Sequence, residues 1–343
     1  MEKFKNNITF MSVDVTYKCN LRCLHCYNYS GEQNLGEEEL SDNELLKLAD
    51  DIGNIKPTAV CLCGGETLLR IDIICEMIKI IKYKTNNETS VNLVTNGMLL
   101  NEDVAKRLKK VGIDNVQISI DGLESTHNWL RQNKNSYKNA INALKWLSKY
   151  DIYTSVSCLP TKKNIDEYKS IIDMCRKYNV KSFRSQPLMI LGRAKKNLQD
   201  YKLSDDEYYK ITKLFDELRY DEAYVGMDFE WGDPVDHLVR SKSLGEKGIL
   251  SIDAYGYIQT SPYIPINIGN IRNHSLRKYI EYGYEKYLDT DVIQEIYNMV
   301  TSAENLDVSM NSDLPEKNKD KSLYIDVIDE YDKLNCKLSK IVL

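Results

Sequence analysis

Along the chain, short runs of β-forming residues trade places with longer stretches whose apolar residues recur at helical spacing. "MSVDVT" (11–16) reads as a strand. "SDNELLKLADDIGN" (41–54) places Leu45, Leu48, Ala49 and Ile52 on one helical face, with Ser41 and Glu44 spaced as a capping box. The exchange then repeats. "AVCLC" precedes "IDIICEMIKIIKYK", and "VNLVT" precedes "NEDVAKRLKKVG", which opens at Asn101 and closes at Gly112. "NVQISI" precedes "SYKNAINALKWLSKY", "YTSVSCL" precedes "NIDEYKSIIDMCRKYN", and "SFRSQPL" precedes "SDDEYYKITKLFDELR". These six β–α units, curling in one sense through right-handed crossovers, predict an α/β fold: a partial (β/α)6 TIM-like barrel open on one side. A flat doubly wound sheet is the alternative.

After about Tyr220 the pattern changes, which divides the chain into a barrel domain over 1–220 and a smaller α+β module over 221–343. "GILSIDAYGYIQTS" predicts a hairpin turning at Ala254–Gly256. Two helices are expected around 275–300. Residues 301–321 are polar and weakly patterned, like a linker. Leu323, Ile325, Val327, Ile328, Tyr331 and Leu334 predict a last helix near 323–338.

Composition narrows the class. Of 343 residues, 42% are hydrophobic and 28% charged, as in a globular protein. The 24 tyrosines, against 5 phenylalanines, suit core and half-buried positions with one wet end. The net charge of −5 and the lack of a basic stripe predict no nucleic-acid partner. No apolar run is long enough for a membrane span and no secretory signal opens the chain, so a cytoplasmic setting is expected. Its reducing conditions make disulfides improbable, and the 9 cysteines then divide into clustered metal ligands and scattered packing residues.

The cluster is "KCNLRCLHC" (18–26), with Cys19, Cys23 and Cys26 directly after the first strand, where sites form in barrels and doubly wound sheets. Three thiolates suit three irons of a cubane [4Fe–4S] cluster and leave the fourth iron open. Zinc recruiting His25, or three unrelated core thiols, are the alternatives, zinc being disfavoured because adjacent ligands at 25 and 26 rarely reach one tetrahedral ion. Cys61 and Cys63 alternate along strand two and are expected to pack in the barrel. Cys75, Cys158, Cys175 and Cys336 are isolated and read as structural.

"CNLRCLHCYN" resembles the signature of radical S-adenosylmethionine (SAM) enzymes. The resemblance spans about residues 11–195 and implies a [4Fe–4S] cluster on Cys19, Cys23 and Cys26 whose open iron binds SAM. It implies reductive cleavage of SAM to methionine and a 5′-deoxyadenosyl radical that abstracts a substrate hydrogen. It places His25 under the adenine as a packing residue. "CGGETLL" (63–69) is similar to the family's Gly-Gly-Glu-Pro segment, with Thr67 in place of Pro, and implies SAM contacts from Gly64, Gly65 and Glu66. "VTNG" (94–97) and "SIDG" (119–122) imply a pocket lined by Thr95, Asn96, Ser119 and Asp121. "HNWLR" (127–131) matches a pattern whose Arg, here Arg131, pairs with the SAM carboxylate. "LMILGRA" (188–194) resembles a segment of peptide-modifying members and puts Gly192 and Arg193 beside the adenosine or the substrate.

Residues 248–278 resemble the C-terminal SPASM or twitch module of the same superfamily, whose cysteines hold auxiliary clusters. Here Thr260–Ser261–Pro262 occupies the expected position, which implies one cluster per chain and a module serving substrate binding. The resemblance further implies a reductant partner such as flavodoxin or ferredoxin. The expected substrate is a ribosomally made peptide undergoing maturation, by oxidation or another modification. The same chemistry on a small metabolite, and a non-catalytic iron–sulfur or SAM-binding module, are the alternatives. The stretch before the first strand is too short for a separate leader-peptide domain of the kind some relatives carry.

Overall fold

Along the first strand, Met11 and Val13 are fully buried while Phe10, Ser12 and Asp14 are half-buried. This two-residue period, repeated from strand to strand, sets the architecture. The computed structural model describes residues 8–32, 37–236, 238–239, 248–264, 266–282, 284, 287, 290–303, 306 and 323–330.

Six parallel strands lie side by side in chain order: β1 (Phe10–Asp14), β2 (Ala59–Cys63), β3 (Ser90–Thr95), β4 (Asn115–Ser119), β5 (Thr154–Cys158) and β6 (Ser182–Ser185). The helices between them are α1 (Asp42–Ile55), α2 (Ile71–Lys84), α3 (Glu102–Lys110), α4 (Glu124–Arg131), α5 (Ser136–Lys149) and α6 (Tyr168–Lys177). After β6 come α7 (Arg193–Asn197) and α8 (Asp205–Arg219). The six expected β–α units and the partial barrel are thus present.

The apolar face of each strand packs against the helices. Met11, Val13, Val60, Leu62, Val91, Leu93, Val116 and Ile118 join Leu45, Leu48, Ile74 and Ile78 in one core. The other face differs from the continuous apolar runs usual in parallel sheets. It carries Cys61, Asn92, Asn115, Gln117, Ser155, Ser182, Arg184 and Glu230, which line a polar cavity of about 400 Å³ inside the barrel.

α1 begins as expected. Ser41 Oγ accepts from the Glu44 amide at 3.4 Å, and the Glu44 carboxylate accepts from the Ser41 amide at 2.8 Å. Glu44 also receives Arg272 Nε at 2.6 Å, and this partner, with the Ser41 bonds, holds its carboxyl at about 2. Ser41→Ala should therefore lower stability by about 1 kcal/mol, read as a shifted urea midpoint with unchanged slope. A midpoint equal to the parent's would refute the capping role.

A seventh parallel strand, β7 (Asp228–Trp231), pairs with β6. It was not expected, because its four residues show only one buried apolar side chain, Phe229, between Asp228 and Glu230. On the opposite edge the expected hairpin forms from β8 (Ile249–Ile252) and β9 (Tyr257–Gln259). β8 runs parallel to β1, and β9 is followed by β10 (Ile266–Asn270) and β11 (Leu323–Tyr324). The eleven strands seen among the described residues belong to one sheet, in the order β11-β10-β9-β8-β1-β2-β3-β4-β5-β6-β7. The two helices expected around 275–300 are α9 (Leu276–Tyr282) and α10 (Asp291–Met299).

The helix expected over 323–338 is a correction. Leu323 and Tyr324 are a strand on β10, and residues 325–330 form a turn. Asp326 sets that turn, its Oδ1 accepting from the Ile328 amide at 2.9 Å. Leu323, Ile325 and Val327 are spaced by two, the period of a strand, and Ile325 and Val327 are buried. The rest of that segment, with Cys336 and most of the expected linker, lies outside the described residues. No helix among the described residues is long and apolar enough to cross a membrane.

Candidate active site

The chain leaves β1 at its carboxyl end and enters the cysteine loop. The loop is held by backbone contacts from nearly every neighbouring element. The Gly65 and Glu66 amides donate to the Thr16 and Lys18 carbonyls at 2.7 and 2.9 Å. The Leu24 amide donates to the Leu130 carbonyl of α4 at 2.8 Å. Asn96 Nδ2, after β3, donates to Asn20 Oδ1 at 2.8 Å.

Arg193 closes the far side. Its amide donates to the Cys26 carbonyl and its Nε to the Cys23 carbonyl, both at 2.8 Å. Its Nη1 reaches the Ser30 carbonyl at 3.2 Å and Glu32 Oε2 at 2.9 Å. Gly192 sits at φ +51, where a Cβ would fall 2.3 Å from the Tyr27 carbonyl oxygen. Gly64, at φ +133, would place one 2.2 Å from the Thr16 carbonyl oxygen. Both need glycine for left-handed backbone and for close approach. Gly192 and Arg193, expected beside adenosine or substrate, thus grip the cysteine loop itself.

Gly192→Ala should displace the loop at a cost of about 1–3 kcal/mol in backbone strain, with further cost from the overlap. The expected result is native-like circular dichroism with reduced iron content after anaerobic reconstitution. Full iron content in that variant would refute the clamp.

Glu66 is fully buried. Its Oε1 accepts from the Leu68 amide at 3.0 Å and Thr95 Oγ1 at 2.7 Å, and its Oε2 from the Asn96 amide at 2.9 Å. Burial raises its pKa, and these donors oppose the rise. They take three of a carboxylate's roughly four lone-pair positions and leave one for a ligand donor. The expected residues Glu66, Thr95 and Asn96 thus form one network with Asn20. Ser119 is half-buried at the end of β4, and no hydrogen bond of its hydroxyl is seen among the described residues.

The third part is an ion pair. Arg131, the last residue of α4, donates from Nε to Asp121 Oδ2 at 2.6 Å, and both side chains are buried. Its Nη1 lies 3.7 Å from Cys23 Sγ. Asp121 Oδ1 accepts from the Leu159 amide at 3.1 Å. Burial alone would raise the Asp121 pKa, yet Arg131 and the nearby imidazoles hold it at about 2. Asp121 is therefore a fixed anion that positions Arg131.

His25 Nε2 stands 3.8 Å from Asp121 Oδ2, and its buried Nδ1 has no hydrogen-bond partner among the described residues. Burial lowers its pKa to about 4, so it is neutral at pH 7. Burial likewise pushes the Cys23 thiol up to about 11, opposed by Arg131.

The donor set suits a cubane better than one ion. Among the described residues, the one trio of His, Cys, Asp or Glu whose ligand atoms all lie within 4.8 Å of one another is His274, Asp326 and Asp329. The three thiols are therefore spread wider than the corners of a tetrahedral zinc site, where Zn–S bonds are about 2.3 Å. A guanidinium beside Cys23 favours its thiolate. Cys19, Cys23 and Cys26 fit three corners of an iron–sulfur cluster. Neutral His25 and the Glu66 network flank them.

Comparison with known proteins bears on the family and the fold. The family model for the radical SAM superfamily matches residues 13–175. An AdoMet-dependent heme synthase from Methanosarcina barkeri is 23% identical over 77% of this chain and 80% of its own length. The sporulation killing factor maturation protein SkfB from Bacillus subtilis is 28% identical over 59% of this chain, which spans about half (47%) of that relative. The crystal structure of Streptococcus suis SuiB bound to S-adenosylmethionine aligns with a TM-score of 0.66, at 12% identity over 84% of this chain and 70% of SuiB, which shows a shared fold. With its cysteine loop at the carboxyl end of β1, this chain carries a radical SAM domain over residues 13–175, the domain of a superfamily whose members use a [4Fe–4S] cluster and SAM.

Proposed function

We propose that the chain uses this site to cleave SAM reductively and to abstract a hydrogen from a ribosomally made peptide during its maturation. The observation that carries the reading is the cysteine trio at the end of β1, with buried Arg131 anchored by Asp121 beside Cys23. When bound, the [4Fe–4S] cluster supplies the electron that converts SAM to methionine and a 5′-deoxyadenosyl radical. Cys19, Cys23 and Cys26 would hold it. Arg131 presents a fork-shaped cation suited to the SAM carboxylate. Glu66, Thr95, Asn96 and Ser119 would contribute further polar contacts to SAM.

Two features support a peptide. One is the likeness to SkfB, a maturation protein. The other is an open groove of about 780 Å³ beside the cysteine loop, lined by Thr16, Lys18, Glu38, Arg70 and Tyr255 among others. The second reading is a small metabolite, favoured by the broader coverage of the heme synthase.

The test is anaerobic reconstitution with iron and sulfide, then SAM and dithionite. 5′-Deoxyadenosine is the expected product, and its absence from cluster-loaded protein would overturn the enzymatic reading. Co-expression with a short open reading frame from the gene neighbourhood separates the two substrates. A mass change in that peptide supports maturation, and an unmodified peptide favours the metabolite.

A further inference from the structure

Inside the barrel, beyond the residues assigned above, lie two more thiols. Cys63 Sγ is 3.2 Å from Cys61 Sγ. The two residues are spaced by two on β2, so their side chains share one face. Cys61 lines the 400 Å³ barrel cavity. Directly across from Cys63 on β1 stands Asp14, and across from Cys61 stands Ser12. Cys63 immediately precedes Gly64 and Gly65, which abut the start of the cysteine loop. Cys63 is the last residue of β2, so of the two thiols it stands at the end of the strand nearer the cysteine loop, while Cys61 faces the cavity.

We propose that Cys61 and Cys63 form a redox-active dithiol that returns a hydrogen atom to a carbon radical generated in the barrel. The inference rests on the radical reading of the site given above. Cys63 is the donor. Its contact with Cys61, and then burial, raise its pKa well above that of an ordinary thiol, so it keeps its S–H at neutral pH. An S–H bond is weaker than an ordinary aliphatic C–H bond, so transfer from sulfur to an aliphatic carbon radical runs downhill.

The step balances as follows. The Cys63 hydrogen atom moves to carbon, forming C–H and leaving a thiyl radical. Cys61 releases its proton to solvent in the polar cavity that it lines. The Cys61 sulfur then bonds to the Cys63 sulfur. The one surplus electron passes to a one-electron acceptor of the iron–sulfur class. The resulting disulfide is reduced by an external dithiol, which supplies two electrons and two protons.

Strand geometry keeps the resting state reduced. Residues two apart on a strand have Cα atoms about 6.6 Å apart, near the upper end of the disulfide range. A disulfide there is strained, and strained disulfides are the labile, catalytic ones. Cys75, Cys158 and Cys175 are each buried apart from this pair and serve as internal controls.

The test has two arms on the anaerobic, cluster-loaded protein. In the first, the protein is equilibrated with glutathione redox buffers, quenched with an alkylating reagent and mapped by mass spectrometry. Cys61 and Cys63 should lose label together, as one intramolecular disulfide, and Cys61→Ser should leave Cys63 alkylated throughout. Independent labelling of the two thiols at every potential would overturn the proposal. In the second, SAM and dithionite are added in D2O without substrate, where the carbon radical is the 5′-deoxyadenosyl radical. Deuterium should appear in 5′-deoxyadenosine and fall to background in Cys63→Ser at unchanged iron content. Deuteration equal to the parent's in Cys63→Ser would overturn the donor role. If the parent makes no 5′-deoxyadenosine, the enzymatic reading fails, while the alkylation arm still decides whether the pair is a dithiol couple.

Discussion

Replacing Cys19, Cys23 and Cys26 together by Ala should remove about four irons per chain, the content of one cubane, and abolish 5′-deoxyadenosine formation. The three residues share one loop between β1 and α1, and their backbone is fixed independently of their sulfurs, by the Gly65, Leu24 and Arg193 amides. The variant should therefore keep its circular dichroism while losing the absorbance of an iron–sulfur chromophore. Cys75→Ala, on α2, should keep its iron. Iron that persisted at four per chain in the triple variant would mean that another set of ligands holds the cluster. About eight irons in the parent, falling to about four in the variant, would reveal a second cluster.

Arg131→Ala should act twice. It removes the cation proposed above to pair with the SAM carboxylate, weakening SAM binding by about 1–3 kcal/mol. It also strands Asp121, whose carboxylate is 1% exposed and ionised because of that guanidinium. Removing one member of a buried pair costs about 3–5 kcal/mol of stability. Chemical denaturation without ligand reads the second effect and SAM titration the first. Arg131→Lys should recover part of the stability but less of the binding, since an ammonium lacks the planar fork. Unchanged SAM affinity in Arg131→Ala would remove Arg131 from the binding site, and unchanged stability would contradict the ion pair.

Much of this was legible in the linear chain because it depends on local pattern. Period-two and helical spacing marked the six β–α units, and Ser41, Asn101 and Gly112 marked helix ends. The cysteine spacing and the Arg131 position were equally local. Less visible was what long-range contact decides. β7 is short and charged, so only its pairing with β6 makes it a strand. At Leu323–Val327 helical and strand periods overlap over too few residues, and the free edge of β10 settles the outcome. Glu66 looked like a ligand residue from its motif, but its three internal donors come from residues up to 30 positions away. The Cys61–Cys63 contact followed from alternation, whereas the polar cavity that Cys61 lines required the curvature that brings side chains of β1 to β7 around one space.

The clamp by Arg193 also carries a timing consequence. Arg193 Nε bonds the Cys23 carbonyl across 170 residues of sequence. During synthesis the cysteine loop leaves the ribosome long before its partner exists. At about 5–20 residues per second, roughly 10–30 s separate the two. For that interval the three thiols belong to a nascent chain that cannot hold the loop in its final shape. Metallation of this protein is thereby deferred until the sixth strand and the turn beyond it have been made, which places iron delivery after translation of the barrel rather than during it.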